Sequence, residues 1–125
     1  MLGIIATVLA GLIGAAVIFM GTGPFWAPQG AAGFGIPGTP AEDRTFQAWL
    51  TVKGVRDMAL GLLLLIVLVG GTTHLLGWFL LAASAIPVGD AMIVRRSNGP
   101  KSAYLGVHGA TAAVMLVISV LLLVA

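Results

Sequence analysis

Residues Ala48–Val69 read AWLTVKGVRDMALGLLLLIVLV. The second half, Met58–Val69, is continuously apolar, whereas the first half carries Lys53, Arg56 and Asp57. A stretch of this length matches the ~20 residues that cross a bilayer as a helix. An ionisable side chain in hydrocarbon costs roughly 3 kcal/mol or more, so such groups usually face a bundle interior and serve a function. The stretch therefore predicts a membrane helix and a site on it.

Three further apolar stretches accompany it: Leu2–Met20, Leu75–Val94 and Tyr104–Val124. Of the 125 residues 59% are hydrophobic and 8% are charged, which leaves nothing large enough for a soluble domain. The expected fold is all-α: one domain over residues 1–125, a polytopic membrane protein whose four transmembrane helices span about 2–20, 48–69, 75–94 and 104–124. A long Gly/Pro-rich loop, Gly21–Gln47, joins the first two helices. Leu2–Met20 lacks the basic start of a signal peptide and is long for its apolar core, so it reads as a retained span. There are no cysteines, which excludes disulfides, thiolate chemistry and zinc-cysteine sites. The net charge of +2 comes from few side chains and forms no basic patch, so no nucleic-acid partner is expected.

Arg95, Arg96 and Lys101 follow the third span, while Gly70–His74 holds no Lys or Arg. Positive-inside bias puts loops 1 and 3 in the cytoplasm and both termini outside. Measured from the outer ends at ~1.5 Å per residue, Lys53 lies ~24 Å deep, Asp57 ~18 Å, Asp90 ~22 Å and His108 ~25 Å. These groups, with Arg56, share one slab of the cytoplasmic half. On the second helix Trp49, Lys53, Arg56 and Asp57 share a face, and Lys53 can pair with Asp57. Arg56 is then free for Asp90 or an anionic ligand. Two cations and two carboxylates are formally neutral, so a buried salt-bridge network is expected.

That network reads as a site for a small lipophilic molecule entering from the bilayer. Asp57, Asp90 and His108 are the acid-base candidates; Lys53, Arg56, Trp49 and Tyr104 are the ligand-binding candidates. Isomerisation or cyclisation would need only these groups. Two alternatives stand beside it. One is a proton-coupled transporter of small molecules, against which the one-sided charge weighs. The other is a structural or accessory subunit whose charges only secure packing. No cofactor motif is present, and one membrane histidine with two aspartates makes too thin a set for metal.

Three other features bear on the site. Pro87, three residues before Asp90, removes a helical hydrogen bond and is expected to free the Ala83 carbonyl. Loop 1 holds Phe25, Trp26, Phe34 and Ile36, so it is expected to lie over the mouth of the polar site rather than in water. Thr39-Pro40-Ala41-Glu42 reads as a capping box that starts the second helix near Pro40. Small residues at four-residue spacing on helix 1 (Gly3, Thr7, Gly11, Ala15 and Ala6, Ala10, Gly14) and helix 4 (Gly106/Ala110, Gly109/Ala113) would allow close packing, within the chain or in a homodimer.

The stretches Val52-Lys53-Gly54-Val55-Arg56-Asp57 with Leu60-Gly61, Gly77-Trp78-Phe79, Pro87-Val88-Gly89-Asp90 and Gly106-Val107-His108-Gly109 carry a family resemblance. So does Gly33-Phe34-Gly35-Ile36-Pro37. The chain resembles the small four-helix membrane proteins known as domain of unknown function 4267, found in bacteria and fungi. The resemblance implies the four-helix fold and supports Lys53, Arg56, Asp57, Asp90 and His108 as site residues; it implies no reaction. Small multidrug transporters are similar in size and helix count, but they carry a membrane glutamate in a first helix that here has no charge.

Overall fold

The computed structural model describes residues 1–125. It is all-α: α1 (Leu2–Trp26), α2 (Arg44–Gly70), α3 (Thr73–Ala83), α4 (Ala85–Arg96), α5 (Lys101–Ala103) and α6 (Ala110–Val124). A 3-10 helix, Pro28–Phe34, lies between α1 and α2, and a π-helical stretch, Tyr104–Gly109, carries α5 into α6. Three helical rods are long and apolar enough to cross a membrane: Leu2–Trp26, Thr73–Arg96 and Lys101–Val124. The chain is thus compatible with a multi-pass membrane protein. At 27 residues α2 is the longest helix, yet Lys53, Arg56 and Asp57 confine its uncharged run to Met58–Gly70, short of the ~20 residues of a span.

Local chemistry sets the helix ends. α1 runs beyond Met20 because Pro24 fits its last turn, and the Trp26 indole donates back to the Thr22 hydroxyl at 3.1 Å. The capping box at Thr39 does not form. The Thr39 hydroxyl donates to the Ile36 carbonyl at 2.6 Å, and Asp43 caps α2 instead by accepting from the Phe46 amide at 2.8 Å. Thr72 caps α3 in the same way, accepting from Leu75 at 3.0 Å. The helix is interrupted at Ser84, one turn before Pro87, next to the Ala83 carbonyl that the proline leaves without its donor; the Ser84 hydroxyl donates to the Leu81 carbonyl at 2.6 Å.

α1 packs along α2 over its length and against α6, and α3 packs on α6. Small residues permit this. Ala6 and Ala10 are fully buried, so one stripe of α1 is used inside the chain. Gly21 and Gly54 meet where the two helices are closest: a Cβ on Gly21 would stand 2.6 Å from the Gly54 carbonyl oxygen. Leu64, Leu76, Leu80, Met115, Ile118 and Leu122 complete the apolar core. Ser119, fully buried on α6, donates to the Gly77 carbonyl at 3.0 Å and so ties α6 to α3. Met1, Thr73 and Ala125 share one end of the bundle. The 3-10 helix and the α4–α5 turn occupy the other end.

Candidate functional site

α2 and α4 make no extended contact. The connection after α1 enters the space between them. Gly35 ends the 3-10 helix in the left-handed conformation, with φ 106°. It lies so near the α4–α5 turn that a Cβ there would meet the Val94 Cγ1 at 3.1 Å. Glycine is required at this position on both counts. The close approach delivers Phe34 into the bundle.

His108, 7% exposed, bonds the Phe34 carbonyl through Nε2 at 2.7 Å. A carbonyl only accepts, so Nε2 carries the hydrogen. The Phe34 and His108 rings lie 4.3 Å apart. On the other side the Lys53 ammonium stands 5.6 Å from the centre of the Phe34 ring, within cation-π range, and donates to Asp57 Oδ2 at 2.7 Å. Phe34 thus joins α2 to the π-helical stretch. Such stretches are rare and frequently mark functional positions.

Beneath this connection lies a cavity of about 800 Å³. Met20, Gly23 and Pro24 of α1, Phe46, Trp49 and Leu50 of α2, Ile93 of α4 and Val107 of the π-helical stretch line it, with Phe34, Ile36, Pro37 and neighbouring loop residues. Lys53 and His108 are the only titratable side chains in the lining. Of the residues singled out from sequence, Trp49, Lys53 and His108 therefore face the cavity. Arg56, Asp57, Asp90 and Tyr104 do not line it. Asp57 and Asp90 are half-buried. Asp90 makes no side-chain hydrogen bond or ion pair, but lies within electrostatic reach of His108, Lys53 and Asp57.

The buried salt-bridge network does not form. The single ion pair is the local Lys53–Asp57 contact, whose side chains are 48% and 23% exposed. Arg56 stands about 100° around the helix from Asp57 and is exposed; its guanidinium donates to the Val52 carbonyl of its own helix at 3.2 Å. Asp90 cannot close the network because α2 and α4 are not packed together. Ala83, whose carbonyl has no amide donor at Pro87, does not line the cavity. Nowhere do three His, Asp or Glu side chains converge as a metal site would need. Sequence reasoning placed Phe34 in a covering loop without making it a site residue. Its signal was an aromatic enclosed by Gly33, Gly35 and Pro37, which lets the backbone turn inward.

Comparison with curated proteins and with solved structures gives no match. A family model, described as Domain of unknown function (DUF4267), matches residues 14–122. That range takes in α2 with Lys53, the inserted Phe34, the π-helical stretch with His108 and nearly the whole core, and the chain belongs to this family.

Proposed function

We propose that this protein crosses the bilayer four times and holds a small lipophilic molecule in the cavity under its first connection. The carrying observation is the cavity itself: about 800 Å³, with a mainly apolar wall in which Lys53 and His108 are the two titratable groups. Binding sites for small molecules have this size and composition. Because Asp57 and Asp90 lie outside the lining, binding is the reading the geometry favours over acid-base turnover. In this reading Asp57 orients Lys53, and Asp90 adds negative potential behind His108.

The fourth span is α2. It packs along α1, itself long and apolar enough to cross, so a transmembrane α1 carries α2 across with it. Loops 1 and 3 face the cytoplasm and both termini lie outside, in keeping with Arg95, Arg96 and Lys101 at the α4–α5 turn. The chain has no cysteine, so single-cysteine labelling tests the arrangement cleanly. Thr39→Cys and Ser97→Cys are expected to react only from the cytoplasmic side and Gly70→Cys only from outside; any other pattern sinks the topology.

Gly23 provides the test of the cavity. It lines the space, and a Cβ there would meet no atom within 4 Å. Gly23→Leu should fill the cavity without disturbing the fold. Native mass spectrometry of the gently solubilised wild type is expected to show a bound mass, distinct from detergent and phospholipid, that the variant lacks. An equal mass on both proteins would place the ligand elsewhere.

A further inference from the structure

We infer that the cavity accepts a single-chain amphiphile ending in a carboxylate, and that Asp57 competes with that carboxylate for the Lys53 ammonium. This deepens the binding reading above and rests on it. The sign of the charge in the wall carries the inference. Lys53 and His108 line the cavity, whereas no Asp or Glu does. A cationic guest would meet an ammonium with no carboxylate facing it from the cavity wall, and like charges repel. An anionic guest would meet the ammonium directly.

Lys53 has capacity for such a guest. An ammonium carries three donors, and its one hydrogen bond here goes to Asp57. The ammonium also lies over the ring of Phe34, a residue of the cavity wall. It stands at the boundary between its partner on the helix and the cavity. The remaining wall, with Met20, Phe46, Trp49, Leu50, Ile93 and Val107, suits a hydrocarbon chain. About 800 Å³ lies within the range of sites for one small ligand, whereas a whole two-chain phospholipid is larger than those sites hold. Asp57 is outside the lining and paired with Lys53 by the contact the guest would use. Removing its charge leaves the ammonium to the guest alone.

The test uses the full-length protein in lipid nanodiscs, with chain-brominated palmitate, hexadecanol and hexadecylamine as probes and quenching of tryptophan fluorescence by the bromine atoms as readout. Each is measured on wild type, Lys53→Met, Lys53→Arg, Asp57→Asn and Gly23→Leu. Palmitate is expected to bind about tenfold more tightly than hexadecanol, as a charge-assisted hydrogen bond implies, and hexadecylamine more weakly still. Lys53→Met should remove the preference for the acid, Lys53→Arg should keep it, and Asp57→Asn should tighten palmitate several-fold. Equal affinities for acid and alcohol, with both blocked by Gly23→Leu, would overturn the carboxylate assignment and leave the cavity as a binding site. Quenching that Gly23→Leu leaves unchanged would mean partition into lipid and would overturn both readings. Weaker palmitate binding in Asp57→Asn, in a variant that melts like the wild type, would overturn the competition.

Discussion

Two glycines two residues apart in α1, on roughly opposite sides of the helix, should respond oppositely to the same change. At Gly21 a methyl would lie 2.6 Å from the Gly54 carbonyl oxygen, 2.7 Å from Met58 Cγ and 2.8 Å from the Met58 amide nitrogen. Favourable carbon–oxygen contacts begin near 3.3 Å, so α2 would have to retreat by about 0.7 Å. Two of the three obstacles are backbone and cannot rotate away. Overpacking of this kind costs about 1–3 kcal/mol. At Gly23 the methyl meets nothing within 4 Å. Alanine gains about 0.8–1 kcal/mol over glycine in a helix interior, and this gain applies to both positions. It therefore cancels in the comparison. Gly21→Ala should be the less stable twin by about 1–3 kcal/mol, and Gly23→Ala should equal or exceed the wild type. Equilibrium unfolding of the purified proteins by SDS titration in mixed micelles reads the difference. Twins within ~0.5 kcal/mol of each other, the usual scatter of an inconsequential substitution, would refute the close α1–α2 packing.

The remaining predictions concern the connection and its cap. His108→Ala leaves the Phe34 carbonyl without its donor, at a cost of about 1–3 kcal/mol, and should speed amide hydrogen exchange across Pro28–Phe34. His108→Gln, which retains a donor, should restore much of the protection, and unchanged exchange in His108→Ala would show that the histidine does not hold the segment. Asp43→Ala removes the cap of α2 and should lower stability by about 1 kcal/mol, whereas Glu42→Ala, outside the cap, should have no effect in the same SDS titration.

How far the sequence was legible depended on whether the deciding interaction was local. Apolar runs identified the rods because burial of a helical backbone in hydrocarbon needs only length and composition. Lys53 and Asp57 were legible as a pair because i, i+4 spacing brings them together on any helix. The network was not, because depth along the axis says nothing of azimuth. Arg56 and Asp57 are neighbours in sequence but point about 100° apart. Asp90 matches their depth on a helix that α2 does not pack against. The start of α2 was misplaced for a similar reason. Thr39 and Asp43 are both good cap residues, and the choice fell to Asp43 once the Thr39 hydroxyl was taken by Ile36.

The deepest difference lies in what a membrane histidine implies. By sequence His108 reads as an acid-base group, since titratable groups in hydrocarbon are usually functional. Its observed partner is a main-chain carbonyl. Non-helical backbone is tolerated at membrane depth only where protein or a cavity satisfies its polar groups. The 3-10 helix ends between α2 and the π-helical stretch, and its last carbonyl requires a donor. His108 supplies it, while Lys53 covers the ring of the same residue. Holding the connection and forming the cavity are therefore one arrangement. The contacts that fix Phe34 also hold the Lys53 ammonium and the His108 ring in the wall of an otherwise mainly apolar space. A histidine that held backbone alone would need no cavity beside it, and a cavity for a neutral hydrocarbon would need no ammonium in its wall. Both together favour a guest with a hydrocarbon body and an oxygen-bearing end.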